Sequence, residues 1–328
     1  VTTRYRRRYT GEAAWAGHVV GYIGAISASQ YDEWKGVGYL PTDLVGQVGV
    51  EAFAERYLKG QDGLRPYNIM TGQEDQGVFL SLDAGRAPVP GGRAILTLDM
   101  RLQKVAMDSM ARTIEAILLK QDPKSKGDAD SGALVMMDVR DGAILALLSY
   151  PGFSPDDFVR AASDPDAYTR MMKALGDTKD KPLLNRAIME NYTPGSTFKP
   201  LTAVAALETG AVTARQVIRD TGTIDIGGWI FRCLEYPTRG HGNLSLTRAM
   251  ATSCNVYFHQ AGFLAKIDNI DRWGREFGLG ELSGIDLPGE VRGVRASRET
   301  KKRLRASPYD QVWFPADTAQ TAIGQFDN

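Results

Sequence analysis

The chain has 328 residues, 43% of them hydrophobic and 24% charged. That is an ordinary globular composition, with enough apolar material for one large domain or two moderate ones. Thirty-nine basic residues balance thirty-nine acidic ones, which excludes the global positive field that would draw the chain to nucleic acid or to an anionic membrane.

The one basic cluster is Arg4, Arg6, Arg7 and Arg8. With no second basic stripe it reads as a solvated tail or strand edge, and no nucleic-acid partner is expected. No run of about 18 apolar residues is present, and the start lacks a signal-peptide pattern. The start at Val1 without a methionine and the end at Asn328 suggest trimming at both ends, so a missing anchor does not argue against a membrane protein.

Residues 1 to about 95 are rich in glycine and turn signals. His18 to Gly24 and Gly77 to Leu82 alternate as strands do, and Val50 to Leu58 reads as a short helix closed by Gly60. The tract from Ala87 to Gly92 marks a boundary, and a strand is expected over Ala94 to Leu98. Next, Leu102, Val105, Ala106, Met110, Ile114 and Ile117 recur at helical spacing, giving one apolar face from Met100 to Leu119. Gln121 to Ser131 reads as a mobile loop. Two apolar runs, Gly132 to Val139 and Ala143 to Ser149, flank Asp141-Gly142, a strong hairpin signal. Their near-continuous apolar character predicts cover on both faces. Asp138 and Asp141 are turn residues rather than an acid–base pair. Ser154 to Lys181 is polar and helix-prone, and further helices are expected over 198–209, 213–218, 245–265 and 268–278. Trp15, Trp229 and Trp313 are expected in the core or in pocket walls.

Cys233 and Cys254 have no CxxC spacing and no nearby histidine-rich partner, which argues against zinc. One disulfide and two buried thiols are both compatible with the sequence. His18, His241 and His259 are the only histidines. None stands at metal-ligand spacing from another, and no Ser-His-Asp triad can be assembled from them.

The chemistry is concentrated at Thr193-Pro194-Gly195-Ser196-Thr197-Phe198-Lys199, which contains S-x-x-K. With Ser196 at a helix start, Lys199 falls one turn later on the same face, within reach of the serine oxygen. A serine hydroxyl needs a base in contact, and a lysine serves if burial keeps its amine partly neutral. A helix N-terminus adds backbone N–H groups suited to a developing oxyanion. Downstream stands Ser253-Cys254-Asn255, an S-x-N triplet whose hydroxyl could relay a proton and whose amide could bind a carbonyl and hold the lysine. Alone, either motif is equally a helix cap.

Together these segments resemble the class B penicillin-binding proteins. Asn185-Arg186-Ala187 followed by Tyr192 to Pro200 is similar to the family's nucleophile segment. Cys233, His241-Gly242 and Leu246 to Asn255 are similar to the approach to its second motif, and Gly284 to Glu290 and Ala322 to Gln325 to two further signatures. Gly17 to Gly24, Val48 to Glu51 and Leu96 to Asp99 resemble its pedestal module and junction.

The resemblance implies an α+β chain. Residues 1–93 would form an N-terminal pedestal resembling the penicillin-binding protein dimerisation module. Residues 94–328 would form a transpeptidase domain like that of serine β-lactamases, an antiparallel sheet flanked by helices. It also implies peptidoglycan D,D-transpeptidation: Ser196 attacks the D-Ala–D-Ala carbonyl of a stem peptide, Lys199 acts as base, and Ser253 and Asn255 assist. Implied partners are stem peptides, acylating β-lactams and a membrane glycosyltransferase. The implied location is the outer face of the cytoplasmic membrane, on an N-terminal anchor, and no metal or organic cofactor is called for. An inactive sensory relative, or a carboxypeptidase or β-lactamase on the same serine, are the alternatives. The pedestal-like region favours the transpeptidase over the hydrolases. The family's third motif, K-[ST]-G, is not in the sequence, so an incomplete sheet and reduced activity are expected of this span.

Overall fold

The computed structural model describes residues 2–3, 7–64, 67–68, 73–74, 87–119, 121–122, 125–126 and 129–327. Arg4, Arg6 and the strand expected over Gly77 to Leu82 lie outside them, as does part of the loop expected over Gln121 to Ser131. The chain forms two compact units: residues 1–190 with 286–290, and residues 191–285 with 291–328.

In the first unit, strands Ile23–Ala25 and Leu44–Gly46 pair antiparallel. Ile26, Tyr39 and Val45 bury beside them. Helix Ala28–Trp34 starts at a capping box, Ser27 and Gln30 each bonding the other's backbone. Two sequence expectations change here. The stretch from His18 to Gly24 is not one strand: Gly17–Val20 is a helical turn, and Gly21, at φ +82°, ends it. Arg7 is not a solvated tail residue, because its guanidinium pairs with Glu51 and Glu55. Glu55 also accepts hydrogen bonds from the Gly46 amide at 2.8 Å and the Tyr39 hydroxyl at 3.2 Å. Buried carboxylates persist only when bonded in this way.

Helix Met100–Leu119 forms over the predicted span and buries Ala106 and Ile114 of the predicted face, but Val105 of that face is exposed and Gln103 is buried instead. Gln103 is fully buried and bonds the backbone: its amide donates to the Trp15 and Leu147 carbonyls, and its oxygen accepts from the Leu147 amide. That pins the helix to the hairpin of Gly132–Met137 and Ile144–Tyr150. Only one strand of the hairpin is well covered. Ala146, Leu147 and Leu148 are buried, whereas Val135, Met136 and Met137 are exposed, so the apolar run overstated the cover. No strand forms over 94–98, although Thr97 and Asp99 bond the edge of the hairpin at Ile144 and Leu145. The polar stretch after the hairpin gives helices Pro155–Arg160 and Pro165–Gly176.

The second unit is built on helices Lys199–Glu208, Asn255–Ala265, Ile267–Glu276 and Pro315–Thr321. Lys199–Glu208 and Asn255–Ala265 share a core that includes Ala206, Tyr257, Phe258 and Ala261 with Ala249 and Cys254, and Ala316 and Ala319 of Pro315–Thr321 pack with Ile226 and Phe231. A second cluster joins Phe198, Leu201, Ala205, Ile267, Ile270 and Ala322. Ile218–Asp220 is a strand paired with Gly242–Leu244, where a helix over 213–218 was expected. Thr223–Ile226 pairs with Trp229–Arg232 across Gly227-Gly228, and Trp229 is exposed at this hairpin rather than in a core. The helix expected over 245–265 is two helices, Leu246–Ala251 and Asn255–Ala265, and the break between them builds the site.

Candidate active site

The S-x-x-K segment begins beside Gly195 at φ +57°, a left-handed conformation suited to glycine. A 3₁₀ turn, Gly195–Phe198, runs directly into helix Lys199–Glu208. The turn sets Ser196 and Lys199 three residues apart as expected, but the lysine amine bonds Ser253 and Asn255 rather than reaching the Ser196 oxygen directly. Ser196 is exposed at the mouth of the turn, and Lys199 is 1% exposed.

The break between the two helices supplies the opposite wall. Ser253 has φ +51°, an uncommon conformation for a residue with a side chain. Its neighbours hold it there. The Ser253 amide donates to the Met250 carbonyl at 3.1 Å, and the Cys254 amide to Ala249 at 2.9 Å. Cys254 then caps the next helix, its sulfur accepting from the Tyr257 amide at 3.4 Å. The reversal aims both flanking side chains at Lys199. Its amine donates to the Ser253 carbonyl at 2.7 Å, the Ser253 hydroxyl at 3.0 Å and the Asn255 side-chain oxygen at 2.8 Å. The Ser253 hydroxyl in turn lies 3.0 Å from Ser196 Oγ. The structure thus brings Ser196, Lys199, Ser253 and Asn255 together, and the connection from lysine to serine runs through Ser253.

Burial lowers the Lys199 pKa from the ordinary lysine value, while the Cys254 and Cys233 thiols, when ionised, act the other way. An ammonium has three N–H donors, and the three acceptors use them all. Once a proton leaves, the free lone pair can take the Ser253 hydroxyl proton, and Ser253 can then accept from Ser196. The geometry supports a two-step proton relay.

Two family models match the chain. The penicillin binding protein transpeptidase domain matches residues 132–325, and the penicillin-binding protein dimerisation domain matches residues 1–92. The chain belongs to the penicillin-binding protein transpeptidase family.

Among relatives of this family, the peptidoglycan D,D-transpeptidase MrdA of Acinetobacter baumannii is 32% identical over 99% of this chain and 44% of its own length. That of Escherichia coli K12 is 31% identical over 98% and 47%. The chain thus spans under half the length of these curated relatives. A solved structure of the Helicobacter pylori penicillin-binding protein PBP2 in complex with MreC superimposes with TM-score 0.74 at 30% identity, over 96% of this chain and 52% of that one. Pseudomonas aeruginosa PBP2 in complex with WCK 5153 gives 0.69 at 28%, over 96% and 59%. The fold is therefore that of the family, a dimerisation module with an α+β transpeptidase domain.

Behind Ser253 lies a group that sequence spacing did not reveal. Asp220, Cys233, His241 and Cys254 bring their ligand atoms within 4.8 Å of one another. The two sulfurs are 3.7 Å apart, Cys233 Sγ is 3.2 Å from His241 Nδ1, and the Cys254 thiol donates to Asp220 Oδ2 at 3.3 Å. Burial opposes ionisation of Asp220. Hydrogen bonds from the His241 amide, the Cys233 thiol and the Gly222 amide, with His241's ring, nevertheless hold it below the usual carboxylate range. Burial pushes the Cys254 thiol well above the usual range. Two sulfurs, one imidazole and one carboxylate could hold a tetrahedral zinc-like ion, for which ligands at about 2.3 Å put two sulfurs about 3.8 Å apart. The sequence argued against zinc because its ligands lie on four separate segments with no paired spacing. Only the strand pairing and the helix break gather them. The thiols are free.

His18 and His259 have structural roles. His18 Nε2 lies 2.8 Å from the Pro182 carbonyl oxygen and its ring packs edge-on to Phe153. His259 Nδ1 lies 2.8 Å from the Ala319 carbonyl oxygen. Among the described residues no helix is long and apolar enough to cross a membrane.

Proposed function

We propose that the protein is a peptidoglycan D,D-transpeptidase, with Ser196 as nucleophile, Lys199 as base, Ser253 as proton relay and Asn255 as the group that orients the lysine and receives the substrate. The observation that carries this reading is the continuous connection from Lys199 Nζ through Ser253 Oγ to Ser196 Oγ, with both steps at 3.0 Å.

Ser196 Oγ attacks the penultimate D-alanine carbonyl of a donor stem peptide, and its proton passes through Ser253 to Lys199. The carbon–nitrogen bond then breaks, and the departing D-alanine nitrogen takes the proton back along the same path. An amine of a second stem attacks the resulting ester and gives its proton to the relay. The new amide forms and Ser196 is restored. A β-lactam amide fits the first half of this cycle, leaving a covalent ester on Ser196. No step calls for a metal or organic cofactor.

Residues 1–93 would serve as the pedestal, and residues 94–328 as part of the transpeptidase domain. We also propose membrane anchorage, an extracytoplasmic site and a membrane glycosyltransferase partner, a reading that the likeness to MrdA supports. A solved structure of a peptidoglycan synthase complex supports the same picture, at 34% identity and TM-score 0.75 over 94% of this chain and 50% of that one. The test is D-alanine release from a pentapeptide stem by the full-length protein. Release and cross-linking that vanish in Ser196→Ala support the reading. Release that persists in that variant overturns it.

A further inference from the structure

The segment Ala322 to Gln325 bonds the turn and helix that carry Ser196 and Lys199 and packs against the helix that begins at Asn255. The Gly324 carbonyl accepts the Gly195 amide at 2.9 Å, immediately before the nucleophile. The Ala322 carbonyl accepts the Thr202 hydroxyl at 2.8 Å, one turn along the nucleophile helix. On the other side, Gly262 of helix Asn255–Ala265 packs so closely on Ala322 that a Cβ there would overlap the alanine methyl. The Ala319 carbonyl meets His259 of that same helix. Gly324 itself is at φ +70°, and a Cβ on it would strike the Gly195 carbonyl oxygen and come within 2.8 Å of Phe198 Cβ. The atoms met are backbone or Cβ atoms, which no flexible side-chain end can move aside to relieve.

We infer that residues 322–324 form a backbone bracket that sets the position of Ser196 relative to the Ser253–Asn255 wall, and that Gly324 is a positioning residue for acylation. This rests on the reading of Ser196 as nucleophile. The bracket fixes the Gly195 turn from one side and the Asn255–Ala265 helix from the other. A shift at Gly324 therefore changes the position of Ser196 relative to Ser253 and Asn255. Misplacement of a reacting group by about 1 Å lowers rates on the order of 100-fold.

The test compares Gly324→Ala with Gly210→Ala in the full-length protein. Gly210 is also left-handed, at φ +67°, but a Cβ there meets nothing within 4 Å, so it controls for backbone strain alone. Active sites are titrated first. Fluorescent-penicillin kinetics then separate initial affinity from the acylation rate constant, and amide hydrogen exchange is followed at Gly195. Gly324→Ala is expected to lower the acylation constant about 100-fold with initial affinity little changed, and to speed Gly195 exchange about tenfold. Thr202→Val, which removes one bond without adding bulk, should show a smaller loss of the same kind. Acylation and exchange in Gly324→Ala matching Gly210→Ala would overturn the bracket. If the parent protein takes no penicillin on Ser196, the nucleophile reading fails instead, and Gly195 exchange still decides the bracket.

Discussion

Replacing Lys199 by methionine probes the relay, because it keeps most of the side-chain volume while deleting the amine. Two opposing effects on stability can be read from the structure. The half-buried Ser253 carbonyl and Asn255 side-chain oxygen lose donors at 2.7 and 2.8 Å, each loss costing at most about 1–3 kcal/mol, the figure for a fully buried acceptor. Against this, the fold no longer buries a cation whose desolvation already lowers its pKa. The two partly cancel, so Lys199→Met should remain folded. Its chemistry should not survive. Positioned general bases contribute roughly 100- to 10,000-fold, which is about 3–5 kcal/mol of barrier. Stopped-flow penicillin acylation, normalised to folded protein by circular dichroism, should fall within that range. A folded Lys199→Met variant acylated within about threefold of the parent would refute the relay, since random error in such constants is far smaller than the expected loss.

Other outcomes follow from the same structure. Because the Lys199 pKa is lowered, acylation should rise with pH through a midpoint below the ordinary lysine range. A midpoint at or above that of free lysine would contradict the assigned base. Burial lowers His18 and His259 to about 4 from 6.5. The unfolded chain therefore takes up protons first, and stability present above about pH 6.5 is lost as pH falls toward 4. Each histidine should contribute on the order of 3 kcal/mol to that loss. Urea titrations between pH 7 and 4.5 should show it, and His259→Gln should flatten the slope; an unchanged slope would reject His259's share. Zinc added to chelator-treated protein should raise the melting temperature, by the equivalent of about 2.7 kcal/mol at a hundredfold excess over its dissociation constant. The shift should vanish in a Cys233→Ser, His241→Ala double variant, and persistence there would place the metal elsewhere.

The sequence made the proposed nucleophile legible because three residues along a helix is a local geometry. Ser196 and Lys199 needed only the turn that Gly195 provides. Ser253 and Asn255 could be named from their triplet, but not the manner of their convergence. That depends on the left-handed Ser253, a conformation set by the Met250 and Ala249 carbonyls and carried by no letter of the motif. The long helix from Met100 to Leu119 followed from its periodicity. The strand expected over His18 to Gly24 misled because Gly17 and Gly21 bound a helical turn that alternation cannot distinguish from a strand. The Asp220, Cys233, His241 and Cys254 group was hidden because it is assembled from separate segments. Gly324's role was invisible because it lies in backbone contacts.

The central claim is that Ser196 accepts the acyl group, and mapping the adduct tests it most directly. Full-length protein is incubated with penicillin, digested and analysed by mass spectrometry. The account predicts one drug equivalent on the peptide containing Ser196, absent from Ser196→Ala. An adduct on any other residue, or one that survives in Ser196→Ala, would contradict it.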